Sequence, residues 1–135
     1  MIELESVTGD PVQLRRAYGC FPSGVTAVCA WAGGVPVGIA ASSFTSVSVD
    51  PPLVSLCVQN SSTTWPRLRT APRLGVSVLG QDQNGAVAWL DCSIHSEVPA
   101  GDHAIVLLRI HALRAEPDDA PLVFHGSRFR QLAAV

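Results

Sequence analysis

Two clusters of small polar residues stand where binding chemistry could occur: Ala40-Ala41-Ser42-Ser43 and Asn60-Ser61-Ser62-Thr63-Thr64, each following an apolar stretch. The second precedes Trp65-Pro66, where a helix is predicted to start. Unpaired N–H groups and the positive end of a helix dipole would meet hydroxyl donors there, so a phosphate could be held with few formal charges. Arg67 and Arg69 follow within the next turns and could add charge-assisted bonds to the same anion. The same serines and threonines would serve equally as turn and cap residues. Asp102-His103, after Pro99-Ala100-Gly101, falls at a strand entrance, where the histidine can contact a ligand or cap the turn. No serine, cysteine or carboxylate pair has the setting of a nucleophile or an acid–base couple, so no catalytic side chain is assigned and a hydrolase has no basis. If the chain is an enzyme, the reactive atoms belong to a cofactor.

The glycines and cysteines narrow the chemistry further. Neither Gly-x-Gly-x-x-Gly nor Gly-x-x-x-x-Gly-Lys occurs, so neither common nucleotide-binding loop is available, and Gly33, Gly34 and Gly38 fit turn and close-packing roles. Cys20, Cys29, Cys57 and Cys92 are widely separated, without Cys-x-x-Cys spacing, and buried free thiols are the expectation. Cys92 and His95 make a Cys-x-x-His, but on a strand they face opposite sides, and no metal site is assigned.

The elements that must position these residues are mostly strands. Pro11 to Tyr18 reads as a short helix, with Asp10 able to cap it, Pro11 suited to its first turn and Gly19 able to end it. Val25 to Ala30 and Val35 to Ile39 flank Gly33-Gly34 as a hairpin. Phe44 to Val49 and Leu53 to Val58 are two further strands, separated by Asp50-Pro51-Pro52. A short helix is predicted from Trp65, ending before Pro72. Leu74 to Leu79 is strand-like, and Leu90, Cys92 and Ile94 alternate with Asp91, Ser93 and His95. Ile105 to Leu113 is expected to be the longest strand. Closely spaced strands joined by turns predict a mainly β fold, a closed or nearly closed antiparallel barrel with a few short helices.

The 135 residues fit one domain, 1–135. An apolar share of 47% against 15% charged residues predicts a large core with little polar surface to spare, which favours a dimer. Nine basic and eleven acidic residues are too balanced for a nucleic-acid footprint. The acidic, polar N-terminus and the lack of a membrane-spanning apolar run give no nucleic-acid or membrane partner and a cytoplasmic location as expectations.

Several stretches together resemble the flavin reductase family, the short-chain NAD(P)H:flavin oxidoreductases that supply reduced flavin to two-component monooxygenases. They are Phe21-Pro22-Ser23-Gly24-Val25-Thr26-Ala27-Val28, Gly38-Ile39-Ala40-Ala41-Ser42-Ser43-Phe44-Thr45-Ser46-Val47-Ser48 and Asp50-Pro51-Pro52-Leu53-Val54. Asn60 to Pro66, Gly75 to Leu79, Gly85 to Cys92 and Gly101-Asp102-His103 continue the likeness, which runs in order from Tyr18 to Arg130.

The resemblance implies an antiparallel Greek-key split β-barrel of the FMN-binding type, a homodimer whose interface helps build two flavin sites. It also implies NADH or NADPH as hydride donor, FMN or FAD as acceptor, and a flavin-dependent monooxygenase component as recipient. Family members hold flavin with the segments matching Ile39, Ala40, Ala41, Ser42 and Ser43, and Cys57, Val58, Gln59, Ser62, Thr63 and Thr64, the latter around the phosphate. The resemblance places His103, Arg128 and Phe129 on the substrate side, within a C-terminal stretch from His125 in the case of the last two. The alternative is a non-catalytic flavin-binding or assembly module on the same barrel. One departure stands between Gln83 and Asn84, where the family carries a longer segment with a helix and a mobile loop. Gln81-Asp82-Gln83 looks like the lead into that helix, which favours a stretch missing from the sequence as read over a deleted loop.

Overall fold

The computed structural model describes residues 2–81 and 85–130. The first helix, α1 (Pro11–Gly19), begins where the sequence requires: Asp10 Oδ1 accepts a hydrogen bond from Val12 N at 3.0 Å, and Pro11 takes the first turn, where its missing N–H costs nothing. Ten strands and a second helix follow: β1 (Ser23–Gly24), β2 (Thr26–Ala32), β3 (Val35–Ala41), β4 (Thr45–Ser48), β5 (Leu53–Gln59), α2 (Trp65–Leu68), β6 (Leu74–Leu79), β7 (Ala86–Ala100), β8 (His103–Ala115), β9 (Val123–His125) and β10 (Arg128–Arg130). The β2–β3 hairpin turns on Gly33 and Gly34, both with positive φ (61° and 79°), as a two-residue turn matched to strand twist demands.

Seven strands form one antiparallel sheet in the order β3-β2-β6-β7-β8-β5-β4, and β1, β9 and β10 form a second, three-stranded sheet. The larger sheet curls around a core in which Val28, Leu56, Leu74, Val76, Val106 and Leu108 are buried. Each such side chain contributes roughly 1.5–3 kcal/mol by leaving water. Trp65 and Leu68 of α2 join this core, and α2 packs against β2 and β3. The expected mainly β split barrel is what forms.

The split has a simple origin. Strands β3 and β4 are neighbours in the chain but lie at opposite ends of the strand order. β4 pairs with β5 only over Leu53, Val54 and Ser55. The second half of β5, Leu56 to Gln59, and all of β3 therefore carry no ladder partner on their outer sides, and the Ser42–Phe44 connection crosses between them.

Some expectations need correction. The longest strand is β7, with 15 residues, and not β8, with 13. β7 extends well past the alternating Leu90–His95 stretch because two register shifts, at Asp91/Cys92 and Ile94/Ser96, let it stay paired with β8. The four cysteines are free, but Cys20, Cys29 and Cys57 are exposed and only Cys92 is buried. Cys29 and Cys57 fall on the outward positions of β2 and β5, between inward Val28 and Ala30, and Leu56 and Val58, whereas Cys92 points into the core and its thiol is pushed up to about 11 by burial and by nearby Asp91. His95 is exposed, opposite Cys92. The short strands β1, β9 and β10 went unread because two or three residues carry too little periodicity.

The junction between Gln83 and Asn84 lies outside the described residues. Beside it, Gly80 N donates to the Gly85 carbonyl at 2.9 Å. No helix of the described residues is long and apolar enough to cross a membrane.

Candidate functional site

Strand alternation decides what the split presents. On β5, Leu56 and Val58 point inward, so Cys57 and Gln59 point out. On β3, Val37 is buried and Ile39 packs on the core, leaving Gly38 and Ala40 outward. A cavity of about 410 Å³ forms over the split, lined by Ile39, Ala40, Ala41, Ser42, Ser43, Cys57, Val58, Gln59, Ser62 and His103. The sequence-predicted binding segments thus meet in one place, with His103 added from the start of β8. Thr63 and Thr64 sit on the same segment, beside the cavity and not in its lining. Val58 is only 4% exposed, so its side chain belongs to the core and its contribution to the cavity is backbone.

The far end of the cavity is held by a turn. Ala100 and His103 pair across a two-residue connection in which Gly101 has φ +64°, a conformation that favours glycine. Asn60 fastens its own segment to that turn: its N donates to the Asp102 carbonyl at 2.9 Å and its Nδ2 to the Gly101 carbonyl at 3.2 Å. Asp102 Oδ1 lies 2.7 Å from His103 Nδ1. The hydrogen bond and charge of His103, with a smaller contribution from Arg15, hold the exposed Asp102 carboxyl below its ordinary range.

At the opposite corner Ser62 Oγ accepts from Trp65 N at 3.1 Å. An accepting hydroxyl keeps its own proton free to donate, so Ser62 can cap α2 and still face an anion. The Thr64 side chain makes no cap bond. Trp65 Nε1 donates to Glu97 Oε1 at 2.8 Å, and Arg69 donates to Glu97 Oε2 at 2.7 Å. This carboxylate, reaching from β7, was invisible to sequence reading because nothing local marks a contact between residues so far apart. It also corrects the expected anion partners: Arg69 is engaged by Glu97, and Arg67 lines a separate hollow with Ala32, Gly33 and Val35. Neither lines the cavity, because one helical turn carries successive side chains around to different sides.

The arrangement suits a flat, polar-edged ring carrying a phosphate. Small outward residues, Ala40 and Ser42, leave room over the barrel surface, two unpaired strand edges offer backbone donors and acceptors, and Ser62 stands at one end. The sequence pattern of the Flavin reductase like domain matches residues 18–85 and 84–133. The chain belongs to the flavin reductase family.

The two matched segments meet at residues 84 and 85, where the sequence departs from the family's pattern. A flavin reductase of Pseudomonas putida is 34% identical over 157 residues, covering 93% of this chain and 92% of that protein. That alignment is longer than the chain's 135 residues, so the relative carries residues without a counterpart here. The NADH:FAD oxidoreductase of Streptomyces globisporus C-1027 superposes with a TM-score of 0.89 at 35% identity, covering 98% of this chain and 100% of that one. A second structure of that oxidoreductase, in complex with NAD and FAD fragments, gives 0.86 at 36% identity, covering 96% and 98%. The flavin reductase component of a bacterial two-component tryptophan halogenase gives 0.85 at 30% identity, covering 93% and 100%.

Within this flavin reductase-family chain, Ser43 has a role that its residue type did not reveal. Its Oγ accepts from Cys57 N at 2.9 Å and donates to the Cys57 carbonyl at 3.2 Å, so the hydroxyl clasps the two sides of the split. Both its hydrogen-bonding functions face the protein. Ser43→Ala is expected to cost about 1 kcal/mol of stability and to weaken flavin binding through misalignment of β3 and β5. Parallel denaturant melts and FMN titrations check this, and an FMN affinity equal to wild type would show that the clasp does not shape the cavity.

The substrate-side assignments divide. His103 lines the cavity, whereas Arg128 and Phe129 do not. They lie on β10, where Phe129 packs against Phe124 with ring centroids 5.6 Å apart. Phe124, His125, Gly126 and Ser127 line an adjoining hollow that shares Ser42 with the first.

Proposed function

We propose that the chain reduces FMN or FAD with hydride from NADH or NADPH and supplies the reduced flavin to a flavin-dependent monooxygenase component, working as a cytoplasmic homodimer. The observation that carries this reading is the convergence of Ile39–Ser43, Cys57–Gln59, Ser62 and His103 on one cavity over the split. The domain is taken as 1–135, with the family's segment absent between Gln83 and Asn84.

A bound flavin supplies a ring that accepts the hydride from the nicotinamide. The chain positions and shields it. Backbone N–H groups along the open edge of β3, and those of β5 beyond Cys57, whose own N–H is held by Ser43, would stabilise the negative charge arriving at the ring, so no side-chain acid is needed. Ser62 with Thr63 and Thr64 would take the phosphate. His103, held by Asp102, lines the same cavity and would fix the approach of the donor, since hydride transfer needs the two rings stacked at near-contact distance.

Steady-state oxidation of NADH and NADPH, with and without FMN, FAD and riboflavin, tests the activity. Turnover that requires flavin is expected; none with any pairing would overturn the reading. Cys57 gives an independent check on the site. Because it is exposed and lines the cavity, FMN is expected to slow its alkylation, with buried Cys92 as an internal residue that reacts only on unfolding. Equal labelling of Cys57 with and without FMN would place the flavin elsewhere.

A further inference from the structure

The hollow that adjoins the flavin cavity has its own chemistry. Its volume is about 330 Å³, and its walls come from α1, from the β9–β10 hairpin and from the segment leading into β1. The Gly126 N–H donates to the Gly19 carbonyl at 2.9 Å and fixes the end of α1 against the hairpin. Ser127, the only described non-glycine residue with φ in the left-handed region (60°), completes the turn of that hairpin and lines the hollow. Tyr18, Phe21 and Phe124 supply aromatic surface, and Tyr18 and Phe21 are largely exposed. Arg15 is the arginine of this lining. Among the described residues its guanidinium makes no hydrogen bond and no ion pair, although its charge reaches Asp102, beside His103 of the neighbouring cavity.

Aromatic faces suit a base, and an unengaged guanidinium suits a phosphate, because its fork of N–H donors matches phosphate oxygens. We propose that Arg15 is the anion-binding residue of this hollow and holds the phosphate of an adenine nucleotide group, the part common to NAD(P)H and FAD. The inference rests on the flavin reductase reading and adds to it a residue outside the stretch that the family pattern matches, 18–133. Shared Ser42 puts the two cavities side by side, so a dinucleotide can place its base and phosphate against Arg15 while its other end lies over the split. Among the described residues, Arg15 is the only arginine that lines either cavity.

The test compares Arg15→Gln with Arg16→Gln, a change on the same exposed helix that lies outside the hollow, after circular dichroism confirms that both are folded. Measured are kcat and KM for NADH with FMN as acceptor, and the Kd values of FMN and FAD. Loss of a charge-assisted bond corresponds to at least about a tenfold effect. A rise of that size in the NADH KM with kcat unchanged assigns the hollow to the donor. A rise in the FAD Kd alone, with FMN unchanged, assigns it to the flavin's adenylate. Arg15→Lys should recover part of the loss, and Arg16→Gln should behave as wild type. If wild type turns over and Arg15→Gln changes neither the NADH KM nor the FAD Kd, Arg15 has no such role. If wild type shows no flavin-dependent turnover, it is the functional reading that fails.

Discussion

Replacing Trp65 by alanine is expected to lower stability by about 3–5 kcal/mol, the range for emptying a large buried aromatic site. Trp65 is 6% exposed, packs into the main core and anchors α2. Its indole N–H is satisfied by Glu97, so the change also strips one partner from a half-buried carboxylate that then retains only Arg69. Chemical denaturation of the full chain checks the magnitude; a loss below about 1 kcal/mol would mean that α2 is not part of the cooperative core. Glu97→Gln should be much milder, because the amide oxygen can still accept from the indole while the ion pair with half-exposed Arg69, a weak contributor at the surface, is lost.

The second large effect is expected on binding. Ser62→Ala combined with Thr64→Val should weaken FMN binding by about tenfold or more, at about 1 kcal/mol or more per lost phosphate bond, while riboflavin affinity stays near wild type. The comparison matters because riboflavin lacks the phosphate. The two positions are not equivalent. Ser62 also accepts from Trp65 N, so its removal loosens the start of α2, whereas Thr64 carries no such bond. Thr64→Val alone is therefore the cleaner probe of phosphate contact, and loss of riboflavin affinity in the double variant would indicate a displaced segment. An unchanged FMN affinity in the double variant would remove these hydroxyls from the phosphate site.

What could be read in advance follows the length over which a signal is repeated. β6 matched Leu74–Leu79, and the β2–β3 hairpin and α1 formed at their turn and cap residues, because those signals are local. The resemblance singled out Ile39–Ser43 and Cys57, Val58, Gln59, Ser62, Thr63 and Thr64, and the alternation on β5 explains why the side chains of Cys57 and Gln59 face the cavity while that of Val58 does not. Contacts set by the curl of the sheet were beyond sequence reasoning. Glu97 with Trp65, Arg15 within electrostatic reach of Asp102 and the Ser43 clasp on Cys57 depend on register and closure, which no spacing of residue types encodes. The mistaken expectation for Arg67 and Arg69 has the same cause, since proximity in sequence to a hydroxyl cluster did not fix the side to which each guanidinium turned.

The strand order also governs when the chain acquires its function during synthesis. Segments 39–43 and 57–62 emerge early from a ribosome, yet β5 gains its lasting partner only when β8 is available, and β2 only when β6 is. Until both distant ladders close, only the Ser43 clasp and the short β4–β5 pairing link the two sides of the split, and such local contacts alone are marginal in water. With flavin over the split, as proposed, the nascent polypeptide completes that binding cavity only when its last long strand has been made. Once bound, a ligand that touches both sides favours only the folded split barrel and so adds to the finished protein's resistance to unfolding by mass action.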